Sequence, residues 1–151
     1  MADWTNELDS FLQKTDEYQV AETNKLKDTK DLVEDYFSST VTQAFNEFKS
    51  ALEARDRQVK VVVGKGSASV QVHFHGQVEL DYYLNTRISS GGASIYPETH
   101  NIDSQNGRPF VAEGVLRSGA QDYSFADISK DELIRHMLSE FKKSVESRLR
   151  K

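Results

Sequence analysis

The stretch Ser67-Ala-Ser-Val-Gln-Val-His-Phe-His-Gly-Gln-Val-Glu-Leu-Asp-Tyr-Tyr-Leu-Asn-Thr86 decides the fold. Val70, Val72, Phe74, Val78, Leu80, Tyr82 and Leu84 alternate with polar residues across it. A period of two is the mark of strands with one dry face and one wet face. A three-residue loop at His75-Gly76-Gln77 sets Phe74 against Val78, Val72 against Leu80 and Val70 against Tyr82. The polar residues then pair as well, His73 with Glu79 and Gln71 with Asp81. A slip by one residue sets apolar against polar throughout, so the pattern fixes the register.

Working outward, every glycine and both prolines lie between Gly64 and Gly119. These are the main local breakers of regular structure. Their confinement divides the chain into helix, sheet and helix. Upstream, Val59, Val61 and Val63 alternate into a turn at Gly64-Lys65-Gly66. Downstream, Ser89-Ser90-Gly91-Gly92 ends a strand and a fourth begins near Ala93. Pro97 cannot donate to a ladder, which makes that strand an edge or bends it. Asn106-Gly107 turns into a fifth strand, Phe110 to Arg117. Ser118-Gly119 turns into a last one, Gln121 to Phe125. The expected sheet is an antiparallel meander of about five or six strands.

Two helices are expected before the sheet. The first, Trp4 to Val20, carries a thin apolar stripe of Trp4, Leu8, Phe11, Leu12 and Tyr18. Thr23 or Asn24 suits a cap for the second, although one continuous helix is also allowed. The second repeats Leu26, Leu32, Val33, Tyr36, Phe37, Val41, Ala44, Phe45, Phe48 and Leu52 at spacings of three and four. After the sheet, Ser129-Lys130-Asp131-Glu132 is a capping box flanked by Ile128 and Leu133. Leu133, Met137, Phe141, Val145 and Leu149 follow on a long closing helix. Lys142, Lys143, Arg148, Arg150 and Lys151 gather at its end, where they suit the helix dipole.

The fold class is therefore α+β, with N-terminal helices and a long C-terminal helix packed on one face of the sheet. The 151 residues suit one domain, 1–57 helical, 58–126 sheet and 129–150 the closing helix. The chain is 28% charged, carries a formal charge of −5 and has no cysteine. That composition excludes disulfides, thiolate metal sites and cysteine nucleophiles. Asp3, Glu7 and Asp9 argue against a leader peptide, and no apolar run reaches the length of a membrane span. A cytoplasmic protein is expected, with no membrane partner.

For chemistry, His73 and His75 at i and i+2 point to one face of a strand. Glu79 and His100 could complete a metal site there. The run Gly66, His73-Phe74-His75 and Glu79 resembles part of the first metal motif of the cupins, which implies a metal on those residues. It departs from that pattern: Gly66 to His73 is one residue too long, and Thr86 stands where the motif has glycine. Pro97-Glu98-Thr99-His100 lacks the second motif. A cross-strand pair on a solvated face is the plainer reading. Gly64-Lys65-Gly66-Ser67 lacks the spacing and the following helix of a phosphate loop. No serine sits in a nucleophile elbow, and His136 stands between Arg135 and Met137 without an evident partner. No catalytic residue and no cofactor are expected, which points away from an enzyme. The sheet's histidine and acid face does not suit nucleic acid.

One sheet face covers about two long helices, so the stripe of Trp4, Leu8, Phe11 and Leu12 is surplus. A non-enzymatic acidic binding or adaptor protein, as a homodimer or on a protein partner, is the leading expectation. Small acidic secretion chaperones are similar in size and charge, but they place a helix within the strand series. A helix-grip-like pocket lined by Phe74, Leu80, Tyr82, Phe110 and Met137 is the alternative. A metal-dependent enzyme at His73, His75 and Glu79 is a third.

Overall fold

The computed structural model describes residues 3–89, 92–102, 107–117 and 124–149. Its order is α1 (Asp3–Tyr36), a π-helical turn (Phe37–Val41), α2 (Thr42–Glu53), and strands β1 (Gln58–Val63), β2 (Ser67–Phe74), β3 (Gln77–Ser89), β4 (Gly92–Ile102) and β5 (Pro109–Glu113). A 3₁₀ turn (Phe125–Asp127) and α3 (Lys130–Leu149) follow. The strands form one antiparallel sheet in the order β1-β2-β3-β4-β5. This is an α+β fold with an open meander sheet.

The two expected N-terminal helices are one. Helix passes through Thr23 and Asn24 unbroken. Thr23 does not cap, because its hydroxyl donates back to the carbonyl of Gln19 at 2.9 Å. The π turn has a clear cause. Val33, Phe37, Val41 and Phe45 are buried and spaced by four, and an α-helix swings such a row by roughly 40° per step. One wider turn brings the row back onto the sheet. Hydroxyls take up the carbonyls it loosens: Ser39 donates to Asp35 O at 2.6 Å and Thr42 to Phe37 O at 2.7 Å.

The register of β2 on β3 holds at Val70–Tyr82, Gln71–Asp81 and Val72–Leu80, then shifts. His73 faces Val78 rather than Glu79, and Phe74 faces Gln77. The loop has two residues, not three, with His75 and Gly76 both at positive φ (51° and 77°). Two positive φ values give the primed turn whose twist matches a tight hairpin. The residue so gained is absorbed as a bulge, which leaves Glu79 without a cross-strand partner. Glu79 is 7% exposed. Its carboxylate accepts from Arg57 Nε at 3.0 Å, and the Arg57 guanidinium lies 3.9 Å from the centre of the Phe74 ring. Arg57 reaches this place because Asp56 takes a left-handed φ of 66° and Arg57 N–H bonds Leu52 O at 3.1 Å, closing α2 without a glycine.

Pro97 lies inside β4, which has neighbours on both sides. Its missing donor is harmless: β5 pairs only from Glu98 onward, and the carbonyl of Pro97 accepts from Gly114 N–H at 2.9 Å. β4 is a paired strand after Pro97 and an edge, among the described residues, before it. β5 ends at Glu113, short of the expected Arg117. Arg117 is drawn away by α3, donating to Glu132 at 2.6 and 2.9 Å and to Asp127 O at 3.0 Å. Of the expected sixth strand, 121–123 lie outside the described residues and Phe125 sits in the 3₁₀ turn. The turn residues Ser90, Gly91, Asn106, Ser118 and Gly119 also lie outside them, as do Arg150 and Lys151.

α2 and α3 share the inner face of the sheet. Phe45 meets Tyr82 at 6.2 Å between ring centres, and Phe48 meets Phe141 edge-on at 6.4 Å. Val70, Val72, Leu80, Leu84, Leu133 and Met137 fill the space between. α3 begins as the capping box foresees: Glu132 N–H donates to Ser129 Oγ at 3.2 Å, with Ile128 and Leu133 buried beside it.

Removing one partner of a buried ion pair strands the other charge. Arg57→Ala should cost about 2–3 kcal/mol in urea unfolding, and Arg57→Ala/Glu79→Leu should recover part of it. A single variant within about 0.5 kcal/mol of the parent would show that Glu79 does not need its cation.

Candidate functional site

Three regions hold the residues that sequence alone singled out. In the metal set, β2 stops at Phe74, so strand alternation does not carry from His73 to His75. His75 occupies the turn with its ring 4.0 Å from that of Phe74. Glu79 is engaged by Arg57. His100 lies two strands away from His73, stacked on Tyr83 at 4.2 Å and 3.7 Å from Glu98. Among the described residues no three His, Asp or Glu groups converge to hold an ion.

In the pocket set, Leu80, Tyr82 and Met137 are buried in the filled core. Phe74 is covered by Arg57, and Phe110 stands exposed on β5. The structure does not gather the five around a cavity. Hollows lie along α1 instead, one of them between Leu26 and Thr29 of α1 and Ile88 and Gly92 of the β3–β4 hairpin.

The outer face of the sheet is polar and largely self-paired. Gln71 donates to Asp81 at 3.2 Å. Arg87 donates to Glu113 at 3.2 Å and lies 4.4 Å over the ring of Tyr96. Tyr83 packs on His100. Cross-strand pairs of this kind satisfy one another and call for no ligand.

The N-terminal half of α1 is different. Val33 and Tyr36 are buried against the body of the fold, where the Tyr36 hydroxyl donates to Ile128 O at 2.7 Å. Burial, and next the charge of Glu132, push that hydroxyl's pKa up. Toward the N-terminus the same side of the helix runs on through Leu26, Tyr18, Phe11, Leu8 and Trp4. There nothing covers it among the described residues: Trp4 is 65% and Phe11 64% exposed, with Leu8 and Leu12 close to half. All four residues of the expected interaction stripe are therefore exposed side by side on one helix. Isolated exposed apolar residues need no explanation, whereas a continuous row of large ones does.

His136 is the polar group whose partner the sequence did not reveal. Leu133 and Met137 are buried on α3 with Phe141 partly buried beside them, and His136 flanks that stripe at three from Leu133. That spacing was the available signal. Its Nδ1 lies 2.9 Å from the hydroxyl of Tyr82, a residue wholly shielded from solvent. With the hydroxyl donating to Nδ1, the imidazole is unprotonated there and its other nitrogen carries the proton. The ring also bonds the backbone of Val115 and lies 3.9 Å from Glu140. Burial lowers its pKa first; Glu140 opposes this and Lys143 adds to it. Burial likewise raises Tyr82 far above the ordinary phenol range. Such a network holds β3 to α3, and it offers no open position to a substrate. At the start of α3, hydrogen bonds from Arg117 hold the Glu132 carboxyl below its ordinary value, with the Ser129 backbone adding to this.

No protein-family model matches the chain. It is 22% identical over 111 residues to a glycine betaine transporter of Acinetobacter baylyi, a match that takes in 74% of this chain and 16% of that protein. The chain thus spans about a sixth of the length of the curated relative it matches. No solved structure matches. No helix among the described residues is long and apolar enough to cross a membrane.

The His136 geometry sets a pH dependence. Its folded pKa is lowered, so the unfolded chain binds more protons as pH falls below its ordinary value of about 6.5. The stabilisation is complete above that value and is lost on acidification toward the folded pKa. The melting temperature should fall between about pH 7 and pH 5, and fall less in His136→Gln. Equal slopes for the two proteins would contradict this role.

Proposed function

We propose that the protein is a non-enzymatic binding or adaptor module that docks a protein partner along the N-terminal half of α1. The observation that carries this reading is the uncovered apolar row from Trp4 to Tyr18, continuous with the side that α1 buries at Val33 and Tyr36. A helix that lays large apolar residues at spacings of three and four into a partner is a recurrent mode of protein recognition. The groups able to do acid–base or metal chemistry support the same reading. His136 and Tyr82 hold each other inside the core, and Glu79 is taken by Arg57.

The likeness to a glycine betaine transporter supports a place for such a module beside membrane transport. The matched part is about a sixth of that protein. In this reading the chain works in the cytoplasm, as one folded domain, and reaches its partner through protein contact rather than by entering the bilayer.

Affinity purification of the tagged full chain from its host, beside a Leu8→Glu/Phe11→Glu variant, tests the reading. A near-stoichiometric partner, identified by mass spectrometry, should accompany the parent and be lost from the variant. An untagged copy of the chain counts as such a partner. Thermal unfolding of the two proteins should agree within about 0.5 kcal/mol, since exposed side chains contribute little to the fold. Equal recovery by both, or none by either, contradicts the proposal.

A further inference from the structure

The exposed half of α1 is built for one occupant in particular. With Leu8 and Thr15 at a positions, Trp4, Phe11 and Tyr18 fall at d positions of a seven-residue repeat. The repeat keeps large groups at d, with Leu8 and Thr15 at a, only as far as Tyr18. Glu22 and Lys25 break it as α1 comes up to the β3–β4 hairpin. The usable seam is therefore the part of α1 that extends past the sheet.

The flanks of the seam select the partner and its direction. Glu7 and Lys14 occupy the g positions, one repeat apart and opposite in charge. The e positions Thr5, Leu12 and Gln19 carry no charge. In a parallel pair g faces e of the other helix, so Glu7 would meet Leu12 and Lys14 would meet Gln19, with no ionic partner. In an antiparallel pair g faces g. Each Glu7 then meets Lys14 of the other copy, twice by symmetry. Neither residue forms an ion pair with another described residue of its own chain. This alignment also sets Leu8 on Phe11 and Trp4 on Thr15, and it lays Leu12 along the apolar edge.

We infer that α1 associates with α1 of a second copy of this chain, as a short antiparallel coiled coil over Trp4 to Thr15 closed by two Glu7–Lys14 pairs. This rests on the reading of α1 as a docking helix, and it names the occupant. A twofold axis near the middle of the seam makes the contact self-complementary and closed, and it carries the two sheets to opposite ends of the pair.

Charge exchange in the full chain, read by light scattering over a concentration series, tests this. Glu7→Lys alone and Lys14→Glu alone should each weaken the dimer about tenfold, by losing two exposed pairs and setting like charges together. Glu7→Lys/Lys14→Glu in one chain should restore the parent affinity, which a fold defect would not do. Because the chain has no cysteine, direction can be read by cross-linking. A mixture of Glu7→Cys and Lys14→Cys should oxidise mainly to the mixed dimer. Preferential Glu7→Cys self-linking, failure of the double exchange to restore affinity, or a monomer throughout the series overturns the inference. A monomer that still retains a different protein through the stripe would remove only the second copy and leave the adaptor reading standing.

Discussion

A mismatch of lengths governs this structure. From Asp3 to Glu53 the chain is continuous helix, roughly 75 Å at 1.5 Å per residue. The longest strand, β3, spans roughly 44 Å. No arrangement of these elements lets the sheet cover the whole helix. The mismatch is written in the sequence as the lack of any glycine or proline before Gly64. With no breaker inside it the helix does not fold back along the sheet, so the apolar side of its N-terminal half leaves the sheet and continues into solvent. The π turn at Phe37–Val41 serves the same geometry. It adjusts the buried row where packing demands it.

Where helix and sheet do meet, the fold is tied by a few polar bonds set inside apolar packing. Tyr82 is the junction: its ring meets Phe45 of α2 and His136 of α3, and its hydroxyl is satisfied by His136. At one end of the sheet Arg57 closes α2 over Phe74 and Glu79. At the opening of α3, Arg117 bonds both Glu132 and the carbonyl of Asp127. Each bond joins segments distant in sequence and each is internally satisfied. Among the described residues, these bonds tie the body of the molecule together and leave the apolar row on α1 uncovered.

Much of this was legible beforehand. The alternation from Val70 to Leu84 placed β2 against β3, and the capping box at Ser129 placed the start of α3. The Trp4–Leu12 stripe was recognisable as surplus because three apolar helix faces exceed what one sheet face can hold. The departures have physical causes that a linear pattern does not display. A histidine tolerates the positive φ needed for a two-residue turn, and that choice moved Glu79 out of register and into the arms of Arg57. Thr23 reads as a cap, but within a helix its hydroxyl returns to the carbonyl four residues back. His136 looked isolated because its partner, Tyr82, comes from a strand far away in sequence. The metal expectation rested on His73 and His75 sharing one strand, which ends between them.

Trp4 is the chain's one tryptophan and sits in the seam, so its fluorescence reports directly on whether the row is covered. The most direct measurement is its emission wavelength and its quenching by acrylamide as the full chain is concentrated. Association through α1 predicts a shift to shorter wavelength and progressive protection from the quencher, both reversed on dilution. Emission that stays at the water-exposed wavelength, fully quenchable at every concentration, would contradict a second copy on this helix.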